Sequence, residues 1–210
     1  MSAIIKNIIF DLGQVLLDLD KKKCLDAFSE AGFTTAGELL EQNKRNQLFG
    51  AYECGDITSA EFRNAVRSMC TTACSDNEID AIWNAMLVAI PIEKLHFLIE
   101  LRKRYKVCLL SNTNEIHWDY IVAHFFEQQS IKPEACFDYI FLSYKMKEKK
   151  PNSAIYQKAL ETGNMKPEET LFIDDIKENC QAAAALGIQT IHFTPGRSLP
   201  AAVCNFLTTQ

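Results

Sequence analysis

The sequence predicts an α/β fold in which a doubly wound parallel sheet carries an inserted α-helical segment. Three observations lead to this prediction. Short apolar runs recur along the chain, segments with helical periodicity separate them, and one long stretch after the first run contains helices only. Strands that alternate with helices favour a parallel sheet, because a helical crossover is what joins two parallel neighbours.

Five runs have the length and composition of buried strands, since parallel strands covered on both faces are almost continuously apolar. They are residues 8–10, 107–110, 139–143, 171–173 and 190–193.

Helical periodicity fills the intervals between these runs. Residues 92–105, 153–160 and 180–187 repeat apolar side chains at helical spacing, and Gly187 is a typical helix terminator. These segments supply the crossovers that a doubly wound sheet needs.

Residues from about 20 to 89 contain no predicted strand and several helices in succession. Thr58, three residues before Glu61, and Asp76, before Glu78, are predicted helix starts. Pro91 then favours the first turn of a returning helix. We therefore predict an α/β core domain of residues 1–17 and 90–210 and an α-helical cap domain of residues 18–89.

Composition and charge restrict the function. Lys and Arg number 22 against 27 Asp and Glu, and the net charge of −5 argues against nucleic acid or a membrane surface as a partner. The eight cysteines are scattered, with only a C-x₃-C pair at 70 and 74, which favours reduced, buried thiols over a disulfide framework. Without a signal-peptide pattern, a cytoplasmic location is expected.

Polar side chains follow four of the predicted strands. In a parallel sheet of this type, ligands bind outside the carboxyl ends of the strands. The residues concerned are Asp11, Ser111, Asn112, Lys150, Asp174 and Asp175. Each residue alone is ordinary, because a strand-end Asp is commonly a turn residue and Lys150 ends a basic run. Their common edge is what indicates a site.

Phosphoryl transfer accounts for this combination. A carboxylate such as Asp11 can attack phosphorus and form an aspartyl-phosphate, but two anions approach each other only if a cation screens them. Mg²⁺ prefers oxygen ligands, which Asp11, Asp175 and a backbone carbonyl would supply. Lys150 and Ser111 would stabilise the transferring group.

The same segments resemble the four motifs of the haloacid dehalogenase (HAD) superfamily. In order along the chain they are IIFDLGQVL, LLSNTNEIH, KKPNSAIYQKAL and LFIDDIKENCQAAAALGI. The insertion after the first strand resembles the helical cap of that superfamily. Within it, FDLG-x-V, LSNTN-x₂-H and Y-x₂-G-x-IT-x₂-EF, from Tyr52 to Phe62, resemble the α-D-glucose-1-phosphate phosphatase-like subgroup.

The resemblance implies roles for these residues in a Mg²⁺-dependent phosphatase. Asp11 would be the nucleophile and a metal ligand, with the Gly13 carbonyl and Asp175 as further ligands. Asp174 would hold a metal-bound water or Lys150. The substrate would be a small phosphorylated metabolite, with sugar phosphates among the candidates. Its phosphoryl group would be bound by Ser111, Asn112 and Lys150.

One position departs from the pattern. Phosphatases of the superfamily usually carry an Asp two residues after the nucleophile as general acid and base, where this chain has Gly13. Such a group typically contributes about 10²–10⁴-fold. Asp18, Asp20 and His117 are candidate substitutes that the sequence does not rank. A sugar 1-phosphate would need the missing acid least.

Two alternatives stay open at this point. A non-catalytic binding protein could keep the fold after losing the acid, and a dehalogenase could use the same aspartate without a metal. In the cap, the side chains that either face the cavity or lie on the solvated surface are Arg45, Tyr52, Glu53 and Arg63. Trp83 and Phe62 are expected in the cap core.

Overall fold

The computed structural model describes residues 4–32, 47–69 and 73–208 and is built around a five-stranded parallel sheet. The strands along the chain are β1 (Asn7–Phe10), β2 (Asp18–Leu19), β3 (Leu87–Ala89), β4 (Lys106–Ser111), β5 (Tyr139–Leu142), β6 (Thr170–Asp174) and β7 (Gln189–His192). The main sheet has the order β5-β4-β1-β6-β7. All five predicted strands are confirmed. β1 is the central strand, because it pairs with β4 on one edge and with β6 on the other, and its four residues are all buried.

Helices flank this sheet and form most of the segment between β2 and β3. In chain order they are α1 (Lys21–Glu30), α2 (Leu48–Glu53), α3 (Ser59–Arg67), α4 (Asp76–Asn84), α5 (Ile92–Leu101), α6 (Glu115–Ile121), α7 (Pro133–Cys136), α8 (Ser143–Met146), α9 (Ser153–Thr162), α10 (Lys177–Ala184) and α11 (Leu199–Thr208). The three predicted crossover helices are confirmed as α5, α9 and α10.

A two-stranded antiparallel ribbon corrects the prediction that residues 20–89 contain no strand. β2 pairs with β3, with Asp18 opposite Ala89 and Leu19 opposite Leu87. Strands of two and three residues are too short to show periodicity in the sequence. The ribbon is seen only in the structure, where the chain enters the helical segment through β2 and leaves it through β3 alongside.

The two predicted helix starts have different outcomes. Thr58 is confirmed as the N-cap of α3, where its side chain and that of Glu61 form a capping box. Asp76 is confirmed as the first residue of α4, but the capping residue is Ser75, whose side chain accepts the hydrogen bond from the Glu78 N–H. The Ser hydroxyl reaches the third residue of the helix, as a capping box requires.

Three hydrophobic clusters fill the molecule. Two of them cover opposite faces of the main sheet. The third belongs almost entirely to the helical segment between β2 and β3, and its largest members are Phe28, Tyr52, Phe62 and Trp83. This separate cluster agrees with the expected location of Phe62 and Trp83, while the boundaries of a cap domain at residues 18–89 stay a prediction.

Within the described ranges, Cys24, Cys54, Cys108, Cys136, Cys180 and Cys204 are free thiols, and four of these six are buried, as is Cys74. Cys70 lies outside the described residues. None of the helices in these ranges combines the length and apolar character that a bilayer-spanning helix needs.

Candidate active site

The carboxyl ends of the central strands bring the predicted site residues to one edge of the sheet. Ser111 and Asp174 are the last residues of β4 and β6. Asp11 directly follows β1, and its N–H donates to the Ile173 carbonyl at 2.8 Å. The parallel ladder therefore runs up to the first carboxylate of the site.

Lys150 joins two of these carboxylates. Its Nζ donates to Asp11 Oδ1 at 2.5 Å and to Asp174 Oδ2 at 2.7 Å. The Lys150 side chain is 1% exposed and that of Asp174 is fully buried. Burying a charge is costly unless it is paired, so these ionic groups depend on one another.

Asn112 fixes the main chain of Lys150. The Asn112 side chain donates from Nδ2 to the Lys150 carbonyl and accepts from the Lys150 N–H at Oδ1, both at 2.9 Å. The side chain predicted to bind phosphate is thus engaged in positioning the lysine. A phosphate contact of Asn112 stays a prediction and would fall to its main-chain N–H.

Asn179 is a site residue that the sequence analysis missed. Its Nδ2 donates to Asp174 Oδ1 at 3.0 Å, and the Ile176 N–H donates to the same oxygen at 2.8 Å. Asn179 is buried, although it lies in the first turn of α10. A lone amide before an alanine-rich stretch was the available signal.

The carboxylates form a compact acidic group. One oxygen from each of Asp11, Asp174 and Asp175 lies within 4.8 Å of the others. Burial raises the pKa of Asp11 to about 6, with Lys150 lowering it and Asp174 raising it. Burial and then the Asp174 charge also raise the pKa of Asp175. Carboxylates held together against burial and mutual repulsion, beside the Gly13 backbone, fit a hard divalent cation.

Lys150 is the positive charge within this group. Burial works to lower its pKa, but the charges of Asp11 and Asp174 and the hydrogen bonds to them outweigh burial, and the net pKa is raised. Lys150 is therefore an ammonium ion at neutral pH and can receive an anionic group.

A cavity of about 590 Å³ opens above this edge. The sheet contributes Asp11, Gly13, Ser111, Asn112, Lys150, Asp175 and Asn179 to its wall. The helical segment between β2 and β3 contributes Lys21, Cys24, Leu25, Phe28, Phe49, Glu53, Trp83 and Met86. The site is thus polar on the sheet side and largely apolar on the helical side.

Four side chains of the predicted cap were candidates for either this cavity or the solvated surface, and their positions differ. Glu53 lines it. Tyr52 is buried, stacked on Phe62 with ring centroids 4.3 Å apart, and Arg63 forms a bidentate pair with Asp80 at 2.7 and 2.8 Å. Arg45 lies outside the described residues.

Gly13 also lines the cavity, in the turn after Asp11. A Cβ at this position would lie 2.9 Å from Leu19 Cδ1. Leu19 belongs to β2, and its terminal methyl group would have to shift to admit a side chain at position 13.

The candidate substitutes for that acid are engaged elsewhere. Asp18 pairs with Lys94 at 3.2 Å, and Asp20 caps α1. His117 lines the cavity, but its Nε2 donates to the Trp83 carbonyl at 3.0 Å and its Nδ1 accepts from Asn114 Nδ2 at 3.2 Å. Burial lowers the pKa of His117 to about 4. The imidazole is therefore held neutral with both nitrogens occupied.

Comparisons with known proteins agree with this geometry. The model of the haloacid dehalogenase-like hydrolase family matches residues 5–187. The chain is 31% identical to the D-ribitol-5-phosphate phosphatase of Bacteroides thetaiotaomicron, over 89% of this chain and 90% of that protein.

Solved structures show the same fold over nearly the whole chain. The HAD family enzyme BT-2542 of Bacteroides thetaiotaomicron is 41% identical, with a TM-score of 0.90 over 93% of this chain and 97% of that chain. A structure of BT-2542 contains magnesium and inorganic phosphate. A predicted HAD-like family hydrolase of Porphyromonas gingivalis is 30% identical, with a TM-score of 0.89 over 99% of this chain and 100% of that chain.

Proposed function

We propose, from the premise that this chain belongs to the haloacid dehalogenase-like hydrolase family, that it is a Mg²⁺-dependent phosphomonoester hydrolase with Asp11 as its nucleophile. The observation that carries this proposal is the contact of Lys150 Nζ with both Asp11 and Asp174 at the base of the cavity. A carboxylate and an ammonium group meet there within reach of one phosphoryl group.

The residues divide the chemistry between them. The Asp11 carboxylate attacks phosphorus, the ester oxygen leaves with the bond electrons, and water then cleaves the aspartyl-phosphate. Lys150 and the Ser111 hydroxyl stabilise charge on the phosphoryl oxygens. Lys150 also holds Asp11 in place, because its second hydrogen bond goes to the fully buried Asp174.

Mg²⁺ would be held by Asp11, Asp175 and the Gly13 carbonyl. When bound, it would neutralise negative charge on the nucleophile and the phosphate. Magnesium and phosphate are present together in a structure of BT-2542, which supports this cofactor. Asp174 would stay outside the ligand set, since Lys150 and Asn179 use its oxygens.

The proposed substrate is a small phosphate ester, with sugar and polyol phosphates as the leading class. A relative of this chain over 89% of its length is a D-ribitol-5-phosphate phosphatase. The cavity of about 590 Å³ accommodates a metabolite of that size. We infer no role for nucleic acid or a membrane.

The test is phosphate release from a panel of sugar, polyol and nucleotide monophosphates. We expect release with Mg²⁺, loss of release with EDTA, and loss in Asp11→Asn. Asp26→Asn, which removes an equal charge from an exposed helix position, is the control and should keep its activity. Metal-independent release of halide from a 2-haloacid, with no phosphate release from the esters, would point instead to a dehalogenase. Mg²⁺ binding with no release from any ester would favour a non-catalytic binding protein.

A further inference from the structure

Among the described residues of the helical segment, Glu53 is the carboxylate that lines the cavity. It is the last residue of α2 and lines the same cavity as Asp11 and Lys150. Its side chain forms no hydrogen bond or ion pair with any residue in the ranges 4–32, 47–69 and 73–208. Within these ranges, no residue therefore occupies the acceptor positions of the Glu53 carboxylate.

The backbone of Glu53 is fixed relative to the phosphate-binding loop. The Ser143 hydroxyl, fully buried, donates to the Glu53 carbonyl at 2.6 Å. The same hydroxyl oxygen accepts from the Thr113 N–H at 2.9 Å. Since Thr113 is two residues after Ser111, one side chain sets the position of Glu53 with respect to the loop that receives phosphate.

A second anchor lies just beyond. The Lys147 ammonium donates to the Gly55 carbonyl. Gly55 has φ +69°, and a Cβ there would lie 2.2 Å from the Tyr144 carbonyl oxygen. This close approach of the two backbones holds the end of α2 against α8.

The charges around Glu53 indicate what it can bind. Burial raises the pKa of Glu53, while Lys149 and Lys21 lower it. Lys21 also lowers the pKa of Asp175, and it lines the same cavity as both carboxylates. Two nearby lysines compensate the charge of Glu53. A carboxylate in that setting favours neutral hydrogen-bond donors over a further cation.

We propose that Glu53 determines specificity by accepting hydrogen bonds from hydroxyl groups on the alcohol part of the phosphate ester. This inference rests on the proposed phosphatase function. The neighbouring wall of Phe28, Phe49 and Trp83 would contact the carbon chain, while Glu53 would distinguish a hydroxylated chain from a bare one. The substrate class would then be phosphate esters of polyhydroxylated alcohols.

The experiment compares two esters of equal chain length, ribitol 5-phosphate and pentyl phosphate, in the wild type, Glu53→Gln and Glu53→Leu. The readout is the ratio of kcat/KM for the two esters. A hydrogen bond to a charged group is worth enough to change this ratio by about 10- to 100-fold. We expect the ratio of kcat/KM for ribitol 5-phosphate to kcat/KM for pentyl phosphate to fall by that factor in Glu53→Leu. It should fall less in Glu53→Gln, whose amide oxygen still accepts a hydrogen bond.

Asp56→Asn is the matched control, because Asp56 is exposed, three residues away, and outside the cavity wall. A ratio that stays within twofold in both Glu53 variants would overturn the inference. A wild type that hydrolyses phosphoethanolamine faster than ribitol 5-phosphate, and loses this preference in Glu53→Leu, would also overturn the inference, because Glu53 would then bind a cation. Failure of the wild type to hydrolyse any ester, including p-nitrophenyl phosphate, would sink the proposed function itself and is a separate result.

Discussion

His117 and Trp83 are joined twice across the boundary between the sheet edge and the helical segment. Their rings stack with centroids 4.8 Å apart and planes at 14°. His117 Nε2 also donates to the Trp83 carbonyl at 3.0 Å. Because Trp83 lies in α4 and His117 in α6, this pair fixes one wall of the cavity to the other.

A consequence of this burial is an acid-sensitive contribution to stability. The pKa of His117 is lowered from 6.5 to about 4, so the unfolded chain binds a proton between these values while the native protein does not. Stability from this source is complete above pH 6.5 and is lost as the pH falls toward 4. Linkage gives a loss of about 3 kcal/mol between pH 7 and pH 4.

The measurement is the free energy of unfolding in urea for the wild type and His117→Gln at several pH values. The difference in the free energy of unfolding between the wild type and His117→Gln should decrease by about 3 kcal/mol from pH 7 to pH 4, since glutamine does not titrate. His96→Gln, at an exposed position, is the control and should track the wild type. A difference that is constant with pH would contradict the prediction.

Substitution of Lys150 by Met should affect stability as well as activity. The change leaves Asp11 and Asp174 as buried carboxylates that have lost their shared cation. Breaking a buried ionic pair from one side typically costs about 3–5 kcal/mol. We expect a decrease of about 3 kcal/mol in the free energy of unfolding without Mg²⁺, measured in urea.

The activity of Lys150→Met should fall by about 10²-fold or more in kcat, since one charged donor to the phosphoryl group is removed. Lys145→Met, which alters an exposed lysine of α8, should stay within about 0.5 kcal/mol of the wild type. Equal stability of the two variants would show that the buried triad contributes little.

Asp175→Asn should weaken Mg²⁺ binding with little effect on the fold. Asp175 is only half-buried, and the other two carboxylates of the group would remain. We expect the Mg²⁺ concentration for half-maximal activity to rise at least about tenfold. Glu178→Gln, a nearby exposed change of equal charge, should leave it unaltered. An unchanged Mg²⁺ requirement in Asp175→Asn would exclude this carboxylate as a ligand.

Gly13 predicts a strong dependence on the leaving group. With no side chain to donate a proton at that position, an ester whose oxygen leaves easily should react faster. We expect glucose 1-phosphate to exceed glucose 6-phosphate in kcat by at least about tenfold, within the range that general acid catalysis usually supplies. Equal kcat values would mean that another group protonates the leaving oxygen.

Much of the fold could be predicted because it depends on local pattern. The apolar composition of the runs was enough to predict that they are buried strands, and they form β1, β4, β5, β6 and β7. The ribbon of β2 and β3 could not be predicted, since its strands are too short to show periodicity. They are defined by the pairing of Asp18 with Ala89 and of Leu19 with Leu87, which are distant in sequence.

The site divides in the same way. The residue pattern is enough to indicate which chemistry reaches the sheet edge, because Asp11, Ser111, Lys150 and Asp174 each follow or end a strand and parallel strands share their carboxyl ends. The use of those groups depends on contacts that form only in the folded chain. One such contact joins the Asn112 amide to the Lys150 main chain.

Contacts between elements that are distant in sequence determine the remaining features of the site. Asn179 lies against Asp174, and His117 lies between Trp83 and Asn114. Glu53 is linked through Ser143 to the loop that follows β4. Hydrogen bonds between remote segments have no period or spacing in the sequence. They are set by packing, and so they became visible only when the chain was folded.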